Sequence, residues 1–171
     1  MTTNGVAEVY CLDSDALINI QRYYPEALKE VARYARKGTI VIPEGVYREI
    51  CQKTDGLKRM VQIWQNKYSA VILLDSPELR GELVRIEKAY GERITIKKQQ
   101  RKGFWKSKSG KRAADGQVVT VSKVKGWIAV SNDQAVQDAS SIENVPCIGW
   151  QEFYRRMKQG FARQQLLPGI E

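Results

Sequence analysis

The sequence contains no histidine, and this absence removes several classes of catalytic site. Without an imidazole there is no Ser-His-Asp triad, no Cys-His pair and no histidine general base. Zinc and non-haem iron sites that depend on histidine ligands are excluded as well. Polar chemistry in this chain therefore has to come from carboxylates, lysine, arginine, tyrosine, hydroxyl groups or thiols.

Cysteine is scarce, and its spacing suits neither disulfides nor metal binding. The three cysteines, Cys11, Cys51 and Cys147, are far apart in the sequence. No CxxC pair occurs, so neither a disulfide framework nor a zinc knuckle is indicated. We expect all three to be small core residues, because free cysteine is usually buried.

Long apolar runs are also missing. No stretch approaches the roughly 20 residues that cross a bilayer, and residues 1–8 lack the basic-then-apolar layout of a signal peptide. We therefore expect a cytoplasmic protein that does not use a membrane. The length of 171 residues, with 43% hydrophobic and 27% charged, predicts one compact domain over 1–171. The tail at about 160–171 is expected to be loosely held.

Short apolar runs alternate with helical patterns along the chain. Strands separated by helices indicate parallel pairing through βαβ crossovers. We therefore predict an α/β fold, a three-layer α/β/α sandwich with a mostly parallel five-stranded sheet. In such sheets ligands bind beyond the carboxyl ends of the strands. The predicted strands cover 9–12, 40–43, 71–74, 127–130 and 145–148.

Two of the predicted strands run directly into acidic residues. The first ends at Asp13-Ser14-Asp15, and the fourth ends at Ser131-Asn132-Asp133. Both acidic segments then lie at the sheet edge where ligands bind. Helix N-capping, which favours aspartate, is an equally good explanation of Asp15 and of Asp133 when each is taken alone.

Two further acids border apolar faces of predicted helices. Glu49 adjoins the i, i+4 pair Val46 and Ile50, and Asp115 precedes two valines by one helical turn. A solvated helix glutamate is the alternative for Glu49. An acid at the margin of an apolar face bears a desolvation cost, which a bound cation offsets. Mg²⁺ and Mn²⁺ prefer oxygen ligands and activate water for phosphodiester hydrolysis without histidine.

In this order and with these strand contexts, the acids resemble the motifs of the PIN-domain family. The first is an apolar-Asp-x-x-x-Leu segment at 11–17, and the second is a glutamate-bearing helix at 46–50. The third is an aspartate opening a helix at 113–119, and the last is an acid after the fourth strand at 129–133. Each motif is short, so the similarity depends on their order over roughly 9–157.

The resemblance implies a PIN-like fold and a Mg²⁺- or Mn²⁺-dependent endoribonuclease. Such proteins are often the toxin of a toxin–antitoxin pair, which makes RNA, an antitoxin protein and a second copy of the chain the implied partners. The segment 92–112 makes this chain longer than the compact VapC-type toxins and similar to a longer PIN-like branch. Carried over by position, the catalytic and metal-binding residues are Asp13, Glu49, Asp115 and Asp133. The residues implied as additional acids, or as groups that orient the metal shell or a phosphate, are Asp15, Ser131, Asn132 and Asp138.

The insertion at about 92–112 is predicted to be an irregular basic loop. Its residues 97–112 contain eight lysines and arginines and no acid, in a chain of net charge +9. Basic residues neutralise phosphates, and aromatic residues stack on unpaired bases. A solvated loop, or one that folds against an acidic partner, is the alternative. We predict nucleic-acid contacts from Lys97, Lys98, Arg101, Lys102, Phe104, Trp105, Lys106, Lys108, Lys111 and Arg112.

Two other functions fit parts of the pattern. A haloacid-dehalogenase-like phosphatase would use an aspartate nucleophile, further acids for Mg²⁺ and a lysine, but it leaves Glu49 and Asp115 without a role. A catalytically inactive module that binds RNA or protein would explain the charge but not the four acids. The phosphatase residues would be Asp13, Asp15, Asp133, Asp138 and Lys123 or Lys125.

Overall fold

A computed structural model describes residues 7–53, 56–106 and 114–161. Five of its strands form a sheet in the order β3-β2-β1-β6-β7, and every pairing in that sheet is parallel. The remaining two strands form a separate antiparallel pair. The strands are β1 (Tyr10–Leu12), β2 (Ile40–Pro43), β3 (Val71–Ile72), β4 (Arg93–Ile96), β5 (Gln99–Lys102), β6 (Ile128–Val130) and β7 (Cys147–Ile148).

Helices connect the parallel strands, and the predicted three-layer α/β fold with a mostly parallel five-stranded sheet is confirmed. No described helix is both long enough and apolar enough to cross a bilayer. Short 3₁₀ turns occur at Pro25–Ala27 and Phe104–Lys106. The helices are α1 (Ser14–Tyr23), α2 (Leu28–Arg36), α3 (Glu44–Cys51), α4 (Gly56–Lys67), α5 (Pro77–Tyr90), α6 (Asp115–Lys125), α7 (Gln134–Ile142) and α8 (Trp150–Lys158).

The central strands are buried along their whole length. Every residue of β1, β2 and β6 is buried, which is why these strands read as continuous apolar runs rather than alternating ones. In the register of β1 against β6, Leu12 lies opposite Val130. The residues that follow these two strands therefore emerge side by side at one edge of the sheet.

The prediction of an irregular loop after α5 is wrong for residues 93–102, which form a β-hairpin. Strands β4 and β5 pair antiparallel around a two-residue turn, Lys97-Lys98, with φ of 51° and 65°. Ile94 is buried beneath it and alternates with polar neighbours. The turn lacks the Asn-Gly signal that usually marks such hairpins. The many charged residues of the segment also obscured the alternation of buried and exposed side chains that indicates a strand.

The cysteine prediction is confirmed in part. Cys11 in β1 is fully buried, as expected of a small core residue. Cys51 at the end of α3 and Cys147 in the edge strand β7 are only half-buried, because both lie where the apolar layers end.

An ion-pair network joins α5, α6 and α7. The Glu143 carboxylate, 8% exposed, accepts hydrogen bonds from Arg85, from Tyr90 and from Lys123 at 2.6 Å. Burial alone would raise the pKa of Glu143, but the hydrogen bonds from these three groups outweigh it and lower the pKa to about 2. The ionised carboxylate therefore stabilises the fold.

Glu143→Gln is expected to lower the free energy of unfolding at pH 7 by about 1–2 kcal/mol, since solvent screens the half-exposed Arg85 and Lys123. A lowered folded-state pKa stabilises the protein above the unfolded-state value and loses that effect as the pH falls. In urea titrations, the difference in free energy of unfolding between the wild type and Glu143→Gln should therefore become smaller between about pH 4.5 and 2. Exposed Asp75→Asn is the control, and a difference independent of pH would contradict the assignment.

Candidate active site

Two of the predicted acids follow adjacent strands and cap the helices that begin there. Asp13 follows β1, is 4% exposed, and accepts the Ala16 backbone N–H at 2.8 Å. Asp133 follows β6 and accepts the Val136 backbone N–H at 3.2 Å. N-capping thus describes Asp133 correctly, whereas Asp15 lies in the first turn of α1 rather than at its cap. Capping fixes the two carboxylates at one edge of the sheet.

Glu49 lies on α3 and links two other segments of the site. Its Oε2 accepts a hydrogen bond from Ser14 Oγ at 2.8 Å, and its Oε1 accepts the Ala114 backbone N–H at 3.0 Å. It is therefore not the solvated helix glutamate of the alternative interpretation. Its carboxylate joins the start of α1 to the start of α6 and so positions Asp115, the first residue of α6.

The acids share one electrostatic environment. Burial, together with the smaller effect of the nearby charges of Asp133, Asp13, Glu49 and Asp15, raises the pKa of Asp115 to about 8. Burial likewise raises the pKa of Asp13 to about 7, against the opposing hydrogen bonds from Ser131 and Ala16. None of the ion pairs between described residues involves these five acids. The structure thus concentrates negative charge at this edge of the sheet.

The chemistry of this donor set suits a hard divalent cation. In the conformation described for 7–53, 56–106 and 114–161, no three His, Cys, Asp or Glu side chains form a ready-made metal cluster. Capping and hydrogen bonds already use one oxygen each of Asp13 and Asp133 and both oxygens of Glu49. Asp115 and the remaining oxygens suit Mg²⁺, which is usually held by one or two carboxylates and several waters.

Three of the residues predicted around the acids have structural partners. Ser131 Oγ accepts the backbone N–H of Asp133 at 3.0 Å and shapes the turn after β6. Asn132 accepts the Trp150 backbone N–H at 2.7 Å, and its amide donates to Gln151 at 2.9 Å, so it ties this turn to the start of α8. Asp138 is buried and binds Arg101 of the hairpin at 3.1 Å. Asp138 therefore anchors the hairpin on α7.

A cleft of about 350 Å³ opens between the acids and the hairpin. Asp115 and Asp133 line one part of it, and Arg101 and Lys102 of β5 line another. The cleft therefore places cationic side chains beside the acid cluster, an arrangement that suits a polyanionic chain. Its lining residues are Arg101, Lys102, Gly103, Phe104, Asp115, Asp133, Gln134 and Ala135.

The predicted base-stacking role of Phe104 is wrong. Phe104 is 1% exposed and packs edge-on against Tyr90, with ring centroids 6.4 Å apart. Trp105 is half-buried and packs beside Gly91. The insertion uses these aromatics to attach itself to α5, because a short hairpin has little core of its own. Lys106 ends the 3₁₀ turn, and Lys108, Lys111 and Arg112 lie outside the described residues.

The sequence reasoning missed the residues that hold α3 and α6 together. Gln117 Oε1 accepts the Gly45 backbone N–H at 2.8 Å, across 72 residues of chain. A Cβ added at Gly45 would lie 2.7 Å from the Gln117 amide, so a larger residue would displace that side chain and break the hydrogen bond between the helices that carry Glu49 and Asp115. A glycine two residues after Pro43 was visible in the sequence, but nothing there indicated its partner.

Two of the residues that a phosphatase would need have ion-pair partners. Asp138 is bound to Arg101, and Lys123 is bound to Glu82 at 3.1 Å and to Glu143. Neither Asp138 nor Lys123 is therefore free for its role in that alternative.

Comparison with solved structures finds similar proteins. PAE2754 from Pyrobaculum aerophilum is 14% identical, with a TM-score of 0.51 over 91% of this chain and 99% of that one. A chain of VapBC2 from Rickettsia felis, bound to a DNA fragment from their promoter, is 12% identical, with a TM-score of 0.49 over 83% and 98%. FitAcB from Neisseria gonorrhoeae is 12% identical, with a TM-score of 0.44 over 84% and 99%. The first likeness is one of fold, and it agrees with the PIN-like architecture predicted from the motifs.

Comparison of the sequence with curated proteins finds no match. A family model does match, and it covers residues 10–160, from the first strand to the end of the last helix. The matched region includes all four predicted catalytic acids and the hairpin. The chain therefore belongs to the family described as Domain of unknown function (DUF4411).

Proposed function

We propose that this chain is a Mg²⁺- or Mn²⁺-dependent endoribonuclease that hydrolyses RNA phosphodiester bonds at Asp13, Glu49, Asp115 and Asp133. The observation that carries the proposal is the convergence of these acids from four separate elements at one sheet edge, where Asp13 and Asp115 have raised pKa values. Like charges held close together and partly shielded from water are unfavourable for folding, and such clusters are typical of functional sites.

Each acid has a distinct task in this proposal. A bound divalent cation would supply an activated water and neutralise charge on the phosphate. Asp115, with Asp13 and Asp133, would hold that cation. Glu49 holds the first turn of α6 through Ala114 and is itself oriented by Ser14, so it fixes where Asp115 points.

The hairpin and the residues after it are proposed to bind the RNA backbone. Arg101 and Lys102 line the cleft beside Asp115 and Asp133, and Lys97 and Lys98 form the hairpin tip. Lysine and arginine contacts to phosphates provide affinity without sequence preference. The proposal extends along the chain to Lys106, Lys108, Lys111 and Arg112.

The deciding experiment is cleavage of a labelled single-stranded RNA by the purified protein with Mn²⁺, with Mg²⁺ and with a chelator. We expect cutting with metal and none with chelator. RNA binding without cutting under any of these conditions would favour an inactive binding module instead. Release of phosphate from a small phosphomonoester, without RNA cleavage, would favour the phosphatase.

A finer form of the proposal makes the chain the toxin of a toxin–antitoxin pair, acting as a homodimer in the cytoplasm. It rests on the similarity of the acid motifs to PIN-domain sequences. Growth arrest on expression of the wild type, but not of a variant lacking the acids, would support it. Unimpaired growth with RNA-cleaving protein present would contradict it.

The hairpin tip provides a test of RNA binding that is independent of the acids. Lys97 and Lys98 both adopt left-handed backbone conformations, which favour Asn-Gly in two-residue turns. The double substitution Lys97→Asn, Lys98→Gly should therefore stabilise the protein by about 1 kcal/mol. It should also weaken RNA binding and reduce the slope of log K against log salt by about 1.4, as two lost phosphate contacts to a single strand would.

Denaturant unfolding and RNA titration at several salt concentrations would measure both effects. The control Lys29→Gln, Lys37→Gln removes the same charge in and just after α2, a different element from the hairpin. Equal losses of affinity in the two double variants would mean that net charge alone, rather than the hairpin tip, binds RNA.

A further inference from the structure

An exposed tyrosine at the end of α1 lies flat on a buried tryptophan of α8. The rings of Tyr23 and Trp150 are 5.8 Å apart at their centroids and within 4° of parallel. Tyr23 is 58% exposed, whereas Trp150 is 8% exposed. Of the large hydrophobic side chains exposed in the described ranges, the only aromatic ones are Tyr23 and its neighbour Tyr24. The arrangement leaves a rigid aromatic surface exposed to solvent, and exposure of apolar surface to water is unfavourable.

A cavity of about 490 Å³ adjoins this stack, and we call it the aromatic cavity. Its walls combine rings with two side-chain amides, from Asn19 of α1 and Gln151 of α8. Tyr24 is held in place by stacking on Tyr154, with centroids 4.2 Å apart. Aromatic faces that stack on a base, and amides that bond its edge, are the groups that proteins use to bind unpaired nucleobases.

Two elements link the aromatic cavity to the acid cluster. Asp15, Asn19 and Tyr23 stand at i, i+4 and i+8 on one face of α1, so Tyr23 lies about 12 Å along the helix from Asp15. On the other side, Asn132 precedes Asp133 and donates a hydrogen bond to Gln151. A strand crossing the acids can therefore reach the cavity without leaving this face of the protein.

We infer that the aromatic cavity binds an unpaired nucleobase of the RNA strand that is cut at the acid cluster. Cleavage of that strand rests on the proposed nuclease function, whereas binding of the base does not. Tyr23 stacks on the base, Trp150 supports Tyr23 from behind, and Asn19 and Gln151 bond the edge of the base. The two amides favour a base over a second protein copy, because the centres of protein interfaces are mainly apolar.

A fluorescence titration would test the site directly. Oligoribonucleotides carrying a single 2-aminopurine at successive positions are bound to the Asp115→Asn protein, so that no cutting intervenes. We expect quenching at one or two adjacent positions. Adding Tyr23→Ala should abolish that quenching and weaken binding about tenfold. Tyr23→Phe should preserve both signals, whereas Tyr23→Leu, which keeps an apolar side chain without a π face, should not.

The outcomes separate this site from the nuclease proposal. Position-specific quenching that depends on Tyr23, in a protein whose wild type never cuts RNA, would support the base site and overturn the nuclease. RNA cleavage by the wild type, with quenching and affinity unchanged in Tyr23→Ala, would overturn the base site alone. Dimer dissociation in Tyr23→Ala but not in Tyr23→Leu, seen by sedimentation, would make the surface a contact between copies and would also overturn it.

Discussion

Asp115→Asn is expected to reduce RNA cleavage by at least about 100-fold and to raise the free energy of unfolding of the metal-free protein by about 1–2 kcal/mol. Both effects follow from the same charge. The Asp115 carboxylate is held among four other acids and is partly buried, so asparagine relieves repulsion and desolvation. The same change removes the oxygen charge that a divalent cation would need.

Unfolding in urea with chelator, and again with Mn²⁺, would measure the stability change. Metal that binds only the folded state should stabilise the wild type more than the variant. Glu87→Gln is the matched control, because Glu87 lies on neighbouring α5 and burial alone raises its pKa. Glu87→Gln should leave cleavage unchanged. Full cleavage by Asp115→Asn would remove Asp115 from the catalytic centre.

Gly103→Ala is expected to lower the free energy of unfolding by about 2–3 kcal/mol, and the melting temperature by roughly 5–10 °C. A Cβ at Gly103 would lie 2.2 Å from the Tyr90 carbonyl oxygen and 2.5 Å from that of Gly91. These are backbone atoms at the end of α5, so no side-chain rotation relieves the overlap. The substitution therefore disrupts the packing of the hairpin against the C-terminal end of α5.

Gly81→Ala is the control for this substitution. Gly81 lies within α5 with nothing within 4 Å of an added Cβ, so alanine there should stabilise the helix by up to about 1 kcal/mol. Thermal melts of both variants, with RNA titrations, would check the prediction. If the hairpin binds RNA, Gly103→Ala should also weaken RNA binding. An unchanged free energy of unfolding would mean that the contact between the hairpin and the end of α5 does not stabilise the protein.

The sheet could be predicted from the sequence because its signals are local. Buried parallel strands such as β1 and β2 appear as short apolar runs, and the acids that follow β1 and β6 stand next to them in the chain. Glu49 and Asp115 lack such a signal. Their place in the site was indicated by similarity to a family, with only the margins of apolar helix faces to support it.

The remaining features depend on contacts between distant residues. The hydrogen bond from Ser14 to Glu49 spans 35 residues, and that from Ala114 to Glu49 spans 65. The sequence suggested Asp138 as an additional acid of the site, whereas the structure pairs it with Arg101. Phe104 seemed available for stacking because a residue beside eight cations gives no sign of burial. No periodicity within one segment reports such pairings.

The pairing of β1 with β6 sets the order in which the protein can be completed during synthesis. Tyr10 of β1 pairs with Ile128 of β6, 118 residues later, so one edge of β1 stays unpaired until β6 has been made. Contacts between residues this distant in sequence form slowly. Two of the four acids, Asp115 and Asp133, lie beyond residue 114, and Glu49 cannot engage Ala114 before then. A growing chain therefore carries Asp13 and Glu49 before the segments that hold them in place exist, and the complete cluster forms only after β6 and Asp133 have been synthesised.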